Sequence, residues 1–124
     1  MRIDVLTIFP DLFTGFLATS IPANAIEQGA LSCHVHDIRA HAANKHRKVD
    51  DRPFGGGPGM VMMCQPIFDA VKAAESQDSE LRAVRVLLTP QGERLTQPRV
   101  EWLAQQPRLR RVRRDEGQLS RVKA

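Results

Sequence analysis

Val49-Asp50-Asp51-Arg52-Pro53-Phe54-Gly55-Gly56-Gly57-Pro58-Gly59-Met60-Val61-Met62-Met63 is the stretch around which this chain is organised. Four of the chain's eight glycines and two of its eight prolines fall within residues 53–59. Glycine admits positive φ and lets backbone approach a ligand closely, while each proline fixes φ and removes an N–H. The segment therefore reads as a shaped loop, neither helix nor strand. An Asp-Asp-Arg cluster precedes it and an apolar run follows, as in a loop that leaves a charged rim and re-enters the core. Composition leaves two readings open, a plain connector and a ligand loop. A nucleotide-triphosphate loop is excluded, because that chemistry needs Gly-Lys-Ser/Thr opening a helix and Gly59 is followed by Met60 and Val61. A dinucleotide fingerprint follows a strand directly, whereas Asp50, Asp51, Arg52 and Pro53 precede these glycines.

On the N-terminal side, residues 41–52 hold no large apolar residue except Val49, and Lys45, His46, Arg47 and Lys48 form a compact basic cluster. Such a cluster is either a solvated face or, beside a shaped loop, a phosphate-contacting lip. Residues 3–9 are apolar and β-branched and predict an opening strand stopped by Pro10. Leu12, Phe13, Phe16 and Leu17 give residues 11–19 a one-sided apolar helix suited to packing on a sheet. Pro22 is expected to break that helix, with a short one over 23–28 capped by Gly29. Residues 31–38 alternate as a second strand, with Leu31, Cys33, Val35 and Asp37 on one face.

On the C-terminal side, Pro66 marks a first helical turn, and Ile67, Phe68, Val71 and Ala74 carry the helix to about Glu75. Residues 76–81 read as a polar connection. Residues 84–88 predict a third strand ended by Thr89-Pro90-Gln91-Gly92, and residues 98–105 a short helix before Pro107. Strands alternating with helices argue an α/β domain with a largely parallel sheet. Ligands of such sheets bind beyond the strand carboxyl ends, so residues 89–92 are either a ligand turn or an ordinary strand-to-helix loop.

At 124 residues the chain is one domain's worth, able to bury roughly two-thirds of its unfolded surface. Its net charge of +4 is unevenly spread: residues 1–105 hold 11 Lys/Arg against 12 Asp/Glu, and residues 106–124 hold 7 against 2. Cys33 and Cys64 lie far apart without Cys-x-x-Cys spacing, and Met1 leads into a strand pattern with no signal peptide, so a reducing, cytoplasmic setting is expected. No apolar run approaches the ~20 residues that span a bilayer, so no membrane is expected as a partner. Cys33, His34 and His36 lack a third and fourth ligand at known spacing, and no metal is expected.

Three segments stand in a telling order: Arg2-Ile3-Asp4-Val5-Leu6-Thr7-Ile8-Phe9-Pro10, Lys45-His46-Arg47-Lys48-Val49 leading through the glycine loop to Met60, and Leu88-Thr89-Pro90-Gln91-Gly92. Together they closely resemble the TrmD family of bacterial tRNA (guanine-N1)-methyltransferases, of the SPOUT class, over residues 1 to about 109. The resemblance implies a parallel-sheet SPOUT-type methyltransferase domain and a homodimer. It also implies transfer of methyl from S-adenosylmethionine, bent inside a trefoil knot, to guanine N1 of tRNA beside the anticodon. Residues matching the family's cofactor loop are Leu87, Leu88, Thr89, Pro90, Gln91 and Gly92. Those matching its substrate-side loop are Asp50, Arg52, Pro58 and Gly59.

The family continues with a buried strand and Cys-Gly-Arg-Tyr-Glu-Gly, where this chain departs from it. Residues 108–114 read Arg-Leu-Arg-Arg-Val-Arg-Arg, and five arginines in seven positions are not expected in an interior strand, because each unpaired buried charge costs several kcal/mol. Arg114, Glu116, Gly117, Arg121 and Val122 echo the motif, and Glu116 is carried over as cofactor-binding. The family's catalytic Asp and Arg match nothing in residues 1–124, so no catalytic residue is assigned. The expectation is an incomplete methyltransferase domain over 1–107 with the knot region truncated, a divergent Arg-rich tail over 108–124, no C-terminal tRNA-binding domain, and no activity in isolation. The alternatives are an active tRNA methyltransferase whose missing catalytic parts come from a partner chain, a non-catalytic remnant that binds tRNA or dimerises, and an unrelated α/β nucleotide binder.

Overall fold

The computed structural model describes residues 1–77, 83–111 and 119–123. Five parallel strands form the main sheet in the order β2-β1-β6-β5-β7, with β1 spanning Arg2–Thr7, β2 Ser32–Asp37, β5 Val84–Arg94, β6 Arg108–Arg111 and β7 Leu119–Lys123. Helices α1 (Asp11–Leu17) and α2 (Ser20–Glu27) join β1 to β2, and α4 (Gln97–Ala104) joins β5 to β6. Between β2 and β5 the chain makes a 3-10 turn (Ile38–His41), a short antiparallel ribbon of β3 (Asp50–Asp51) and β4 (Val61–Met62), and helix α3 (Cys64–Ser76). The parallel α/β architecture expected from the alternation of periods is the one observed.

Helix α3 supplies the cover that holds the site in place. Its buried residues Pro66, Ile67, Ala70, Val71 and Ala74 recur three and four apart and so share one face. Ile67, Ala70 and Val71 pack with Leu6, Ile38 and Val49, and Ile8, Ala42 and Met62 lean on the same cluster. Leu6 lies at the carboxyl end of β1 and Ile8 just beyond it, where a parallel sheet gathers its loops.

The second interior feature is charged. Asp4 and Arg108 both have no exposed surface. Arg108 Nε donates to Asp4 Oδ2 at 2.7 Å and its Nη2 donates to the Ala74 carbonyl at 2.9 Å. Arg2 Nη2 and His36 Nε2 each lie 3.1 Å from Asp4 Oδ1. Burial pushes the Asp4 carboxyl up, but the hydrogen bonds from Arg108, His36 and Arg2 outweigh it and hold it at about 2. Burial, reinforced by the Asp4 charge, raises the neighbouring Cys33 thiol, which keeps it protonated and inert.

This cluster corrects the expectation for the arginine-rich segment. Arg108–Arg111 is the central strand, paired with β1 on one side and β5 on the other. A buried charge is excluded from a sheet only while it is unpaired, and Asp4 meets this one. Three further expectations change. Strand β5 does not end at Leu88 but continues to Arg94. Pro22 does not break a helix, because it sits in the first turn of α2, where no N–H is needed. Helix α1 buries none of its residues, leaving Leu12 72% and Phe16 63% exposed instead of packed on the sheet.

Candidate functional site

The glycine stretch is the loop of a hairpin. Asp50 pairs with Met62 and Asp51 with Val61, leaving residues 52–60 as the loop. Its base is anchored to the core by Val49, only 1% exposed, whose carbonyl accepts from Met63 N at 2.7 Å. Gly56 N donates to the Pro53 carbonyl at 3.1 Å, closing a four-residue turn with Gly55 at φ +82° in its third position, as a type II turn requires. Gly57 and Gly59 follow at φ +117° and +92°, conformations that side chains other than glycine adopt only under strain. Asp51 Oδ1 accepts from Arg52 N at 2.8 Å, which fixes the entry to the loop.

The basic cluster immediately upstream is also built. Asn44 Oδ1 accepts from Lys48 N at 2.7 Å, while Asn44 Nδ2 donates to the Lys48 carbonyl at 2.8 Å. Arg47 N donates to the Asn44 carbonyl at 3.0 Å, and Arg47 takes φ +49°. One amide side chain thus reproduces both bonds of a strand pair and closes a five-residue turn from which Lys45, His46 and Arg47 project into solvent. Lys48 Nζ lies 4.0 Å from Asp51 Oδ1, linking this turn to the base of the hairpin.

A second candidate element lies on β5. Its pairing with β7 runs in register to Leu88, opposite Val122, and resumes with Glu93 opposite the same residue. Residues 89–92 therefore bow out of the regular ladder as a bulge opposite Val122. Leu87 is buried, Leu88, Thr89 and Gly92 are half-buried, and Gln91 is exposed with its N–H 3.4 Å from Thr89 Oγ1.

The residues carried over from the sequence fall into two groups. Asp50, Arg52, Pro58 and Gly59 stand together on the hairpin, with Arg52, Pro58 and Gly59 exposed and Asp50 half-buried. Leu87, Leu88, Thr89, Pro90, Gln91 and Gly92 stand together on the β5 bow. No hydrogen bond or ion pair joins the two groups among the described residues. Glu116 lies outside the described residues. The sequence reading passed over two features of the site, the Asn44 clamp and the exposure of Phe54. An Asn four residues before the end of a Lys/Arg-rich run was the available signal for the clamp.

Comparison with known proteins places these elements in a family. A family model described as tRNA (Guanine-1)-methyltransferase TrmD matches residues 1–124. A tRNA (guanine-N(1)-)-methyltransferase of Moorella thermoacetica is 53% identical over 109 residues, covering 88% of this chain and 44% of the relative. Its counterpart in Heliobacterium modesticaldum is 54% identical over 108 residues, covering 84% of this chain and 40% of the relative. The crystal structure of tRNA (m1G37) methyltransferase from Aquifex aeolicus superposes with a TM-score of 0.79 at 26% identity, covering 97% of this chain and 62% of that one. The chain thus spans less than half the length of these curated relatives. The model match leaves no part of the chain unaccounted for, from Met1 through the arginine-rich strand to Ala124, and the chain belongs to the tRNA (guanine-1)-methyltransferase TrmD family.

Proposed function

We propose that these 124 residues form the guanine-side half of a tRNA (guanine-N1)-methyltransferase site, with one wall of its S-adenosylmethionine pocket, and that alone they do not transfer methyl. The observation that carries this reading is the hairpin over residues 50–62, a loop anchored at its base whose glycines hold positive φ beside a clamped basic turn. Close backbone approach is what a guanine held outside its stack needs, and the turn at Asn44 offers cations to the adjoining phosphates. S-adenosylmethionine supplies the methyl group when bound, and the backbone of the bowed residues 89–92 would hold its adenine edge.

Transfer to N1 also needs a base to take the N1 proton. The carboxylates of the hairpin, Asp50 and Asp51, have their backbones tied into the β3–β4 ribbon and match the substrate-side rim of the family pattern. A tRNA partner follows from the same reading. The exposed apolar residues of α1 and α2, among them Leu12, Phe16 and Ile21, support assembly as a homodimer, and a cytoplasmic setting suits a tRNA substrate.

The test is direct. The purified chain is titrated with S-adenosylmethionine by calorimetry and incubated with an unmodified tRNA transcript whose anticodon is followed by guanine. The expected result is weak or undetectable cofactor binding, salt-sensitive tRNA binding and no methylation. Methyl transfer that Gly59→Val abolishes would overturn the claim that this half is insufficient, and absence of tRNA binding at low salt would overturn the RNA-side reading.

A further inference from the structure

We propose that Phe54 is the face on which an unpaired base of the bound RNA stacks. The inference rests on the reading of the hairpin as an RNA site and names the residue that gives that site its grip on a base. Phe54 is fully exposed, at 108% of its reference surface, with no packing against the described residues. It occupies the second position of the turn closed between Pro53 and Gly56, a corner from which a side chain points outward. Gly55, Gly56 and Gly57 follow it, and the space where their side chains would lie is open within 4 Å, so both ring and backbone stay clear for a flat ligand. A phenyl ring held in water on an anchored turn loses the free energy that burial would give it, so its role in the free chain is not packing.

The surroundings say what covers the ring. Residues 39–52 hold five Lys/Arg against two Asp, and Lys45, His46 and Arg47 project from the Asn44-clamped turn tied to the hairpin base through Lys48 and Asp51. An exposed aromatic beside a cationic lip is the pairing by which proteins hold unpaired nucleic acid, the ring taking a base and the cations the backbone phosphates. Met60 and Val61 are also exposed on this hairpin, but neither offers a π face. The charge complementarity favours RNA over a protein partner, for which the cations would be an obstacle to dry burial.

The experiment uses the 124-residue chain and a short hairpin RNA with 2-aminopurine placed in turn at each loop position. Wild type is expected to bind at low salt and to change the fluorescence at one or more positions. Phe54→Ala is expected to weaken binding about fivefold to a hundredfold and to abolish that change. Phe54→Trp should preserve both, whereas Phe54→Leu, apolar but without a π face, should behave as the alanine variant does. The salt dependence should be the same in all four, because the phosphate contacts are intact. Since Phe54 is fully exposed and packs on none of the described residues, folding is not expected to intervene.

Equal affinity and fluorescence in wild type and Phe54→Ala, with binding weakened by Lys45→Ala and Arg47→Ala, would overturn the stacking role and leave the RNA site standing. Absence of RNA binding in wild type would overturn both. A Phe54→Ala variant that turned a dimer into a monomer by sedimentation would assign the ring to a contact between copies and overturn the proposal.

Discussion

Asp4 and Arg108 stand 104 residues apart in sequence and meet at 2.7 Å in the centre of the sheet, both without solvent exposure. Arg2 lies opposite Arg108 in the β1–β6 register, so Asp4 meets Arg108 on the diagonal of one sheet face. The same carboxylate takes His36 from β2. One side chain of β1 thereby joins three adjacent strands, and the Arg108 bond to Ala74 adds helix α3.

Removing one member of this pair should be far worse than removing both. Asp4→Ala leaves Arg108 buried without its carboxylate and should cost about 3–5 kcal/mol in urea unfolding. The Asp4→Leu/Arg108→Met double variant should recover most of that loss. Additive losses in the two single variants and the double would contradict the pairing. The geometry also bears on truncation: ending the chain after Gln105 deletes the central strand, so such a variant should fail to fold rather than merely lose charge.

The pair also sets an acid limit. Asp4 titrates at about 2 in the fold against an ordinary 3.8. A depressed carboxylate contributes its stability fully above the unfolded value and loses it as pH falls through the folded one. About 2 kcal/mol should therefore disappear between roughly pH 4 and pH 2. The slope of unfolding free energy against pH in that window should be shallower in Asp4→Asn than in wild type.

Glycine substitutions in the hairpin should act locally. Gly59 sits at φ +92° with nothing within 4 Å of where a Cβ would stand, so Gly59→Ala meets strain but no clash. A backbone cost of about 1 kcal/mol should fall on the loop, giving a change of a few degrees at most in thermal midpoint alongside weaker RNA binding. A collapse of the fold would mean that the loop carries core contacts.

Asn44 should behave as a positioning residue for its cations. Asn44→Ala removes both bonds to Lys48 and should speed amide exchange at Lys48 and lower RNA affinity several-fold, with a stability change near 1 kcal/mol. Asn44→Asp retains the acceptor for Lys48 N but cannot donate to the Lys48 carbonyl, and should fall between the two.

Much of this architecture was legible in the sequence because it rests on local periods. The α3 stripe of Ile67, Val71 and Ala74 and the apolar run of β1 report burial within a few residues of themselves. Gly55, Gly56, Gly57 and Gly59 announced positive φ, and each has it. What remained hidden depends on distant partners. Arg108 reads as too charged for an interior strand until Asp4 is seen to face it. The bare side of α1, with Leu12 and Phe16, follows a helical period whose partner is not among the described residues. The Asn44 clamp escaped because a single amide gives no period at all.

Hydrogen exchange of the chain with and without an anticodon stem-loop RNA tests the central claim, that the glycine hairpin and its basic turn are the RNA face. The account predicts slowed exchange at residues 44–48 and 54–60, with the helical amides of α1 and α2 unchanged. Protection confined to other segments, with residues 44–60 exchanging as in the free chain, would contradict it.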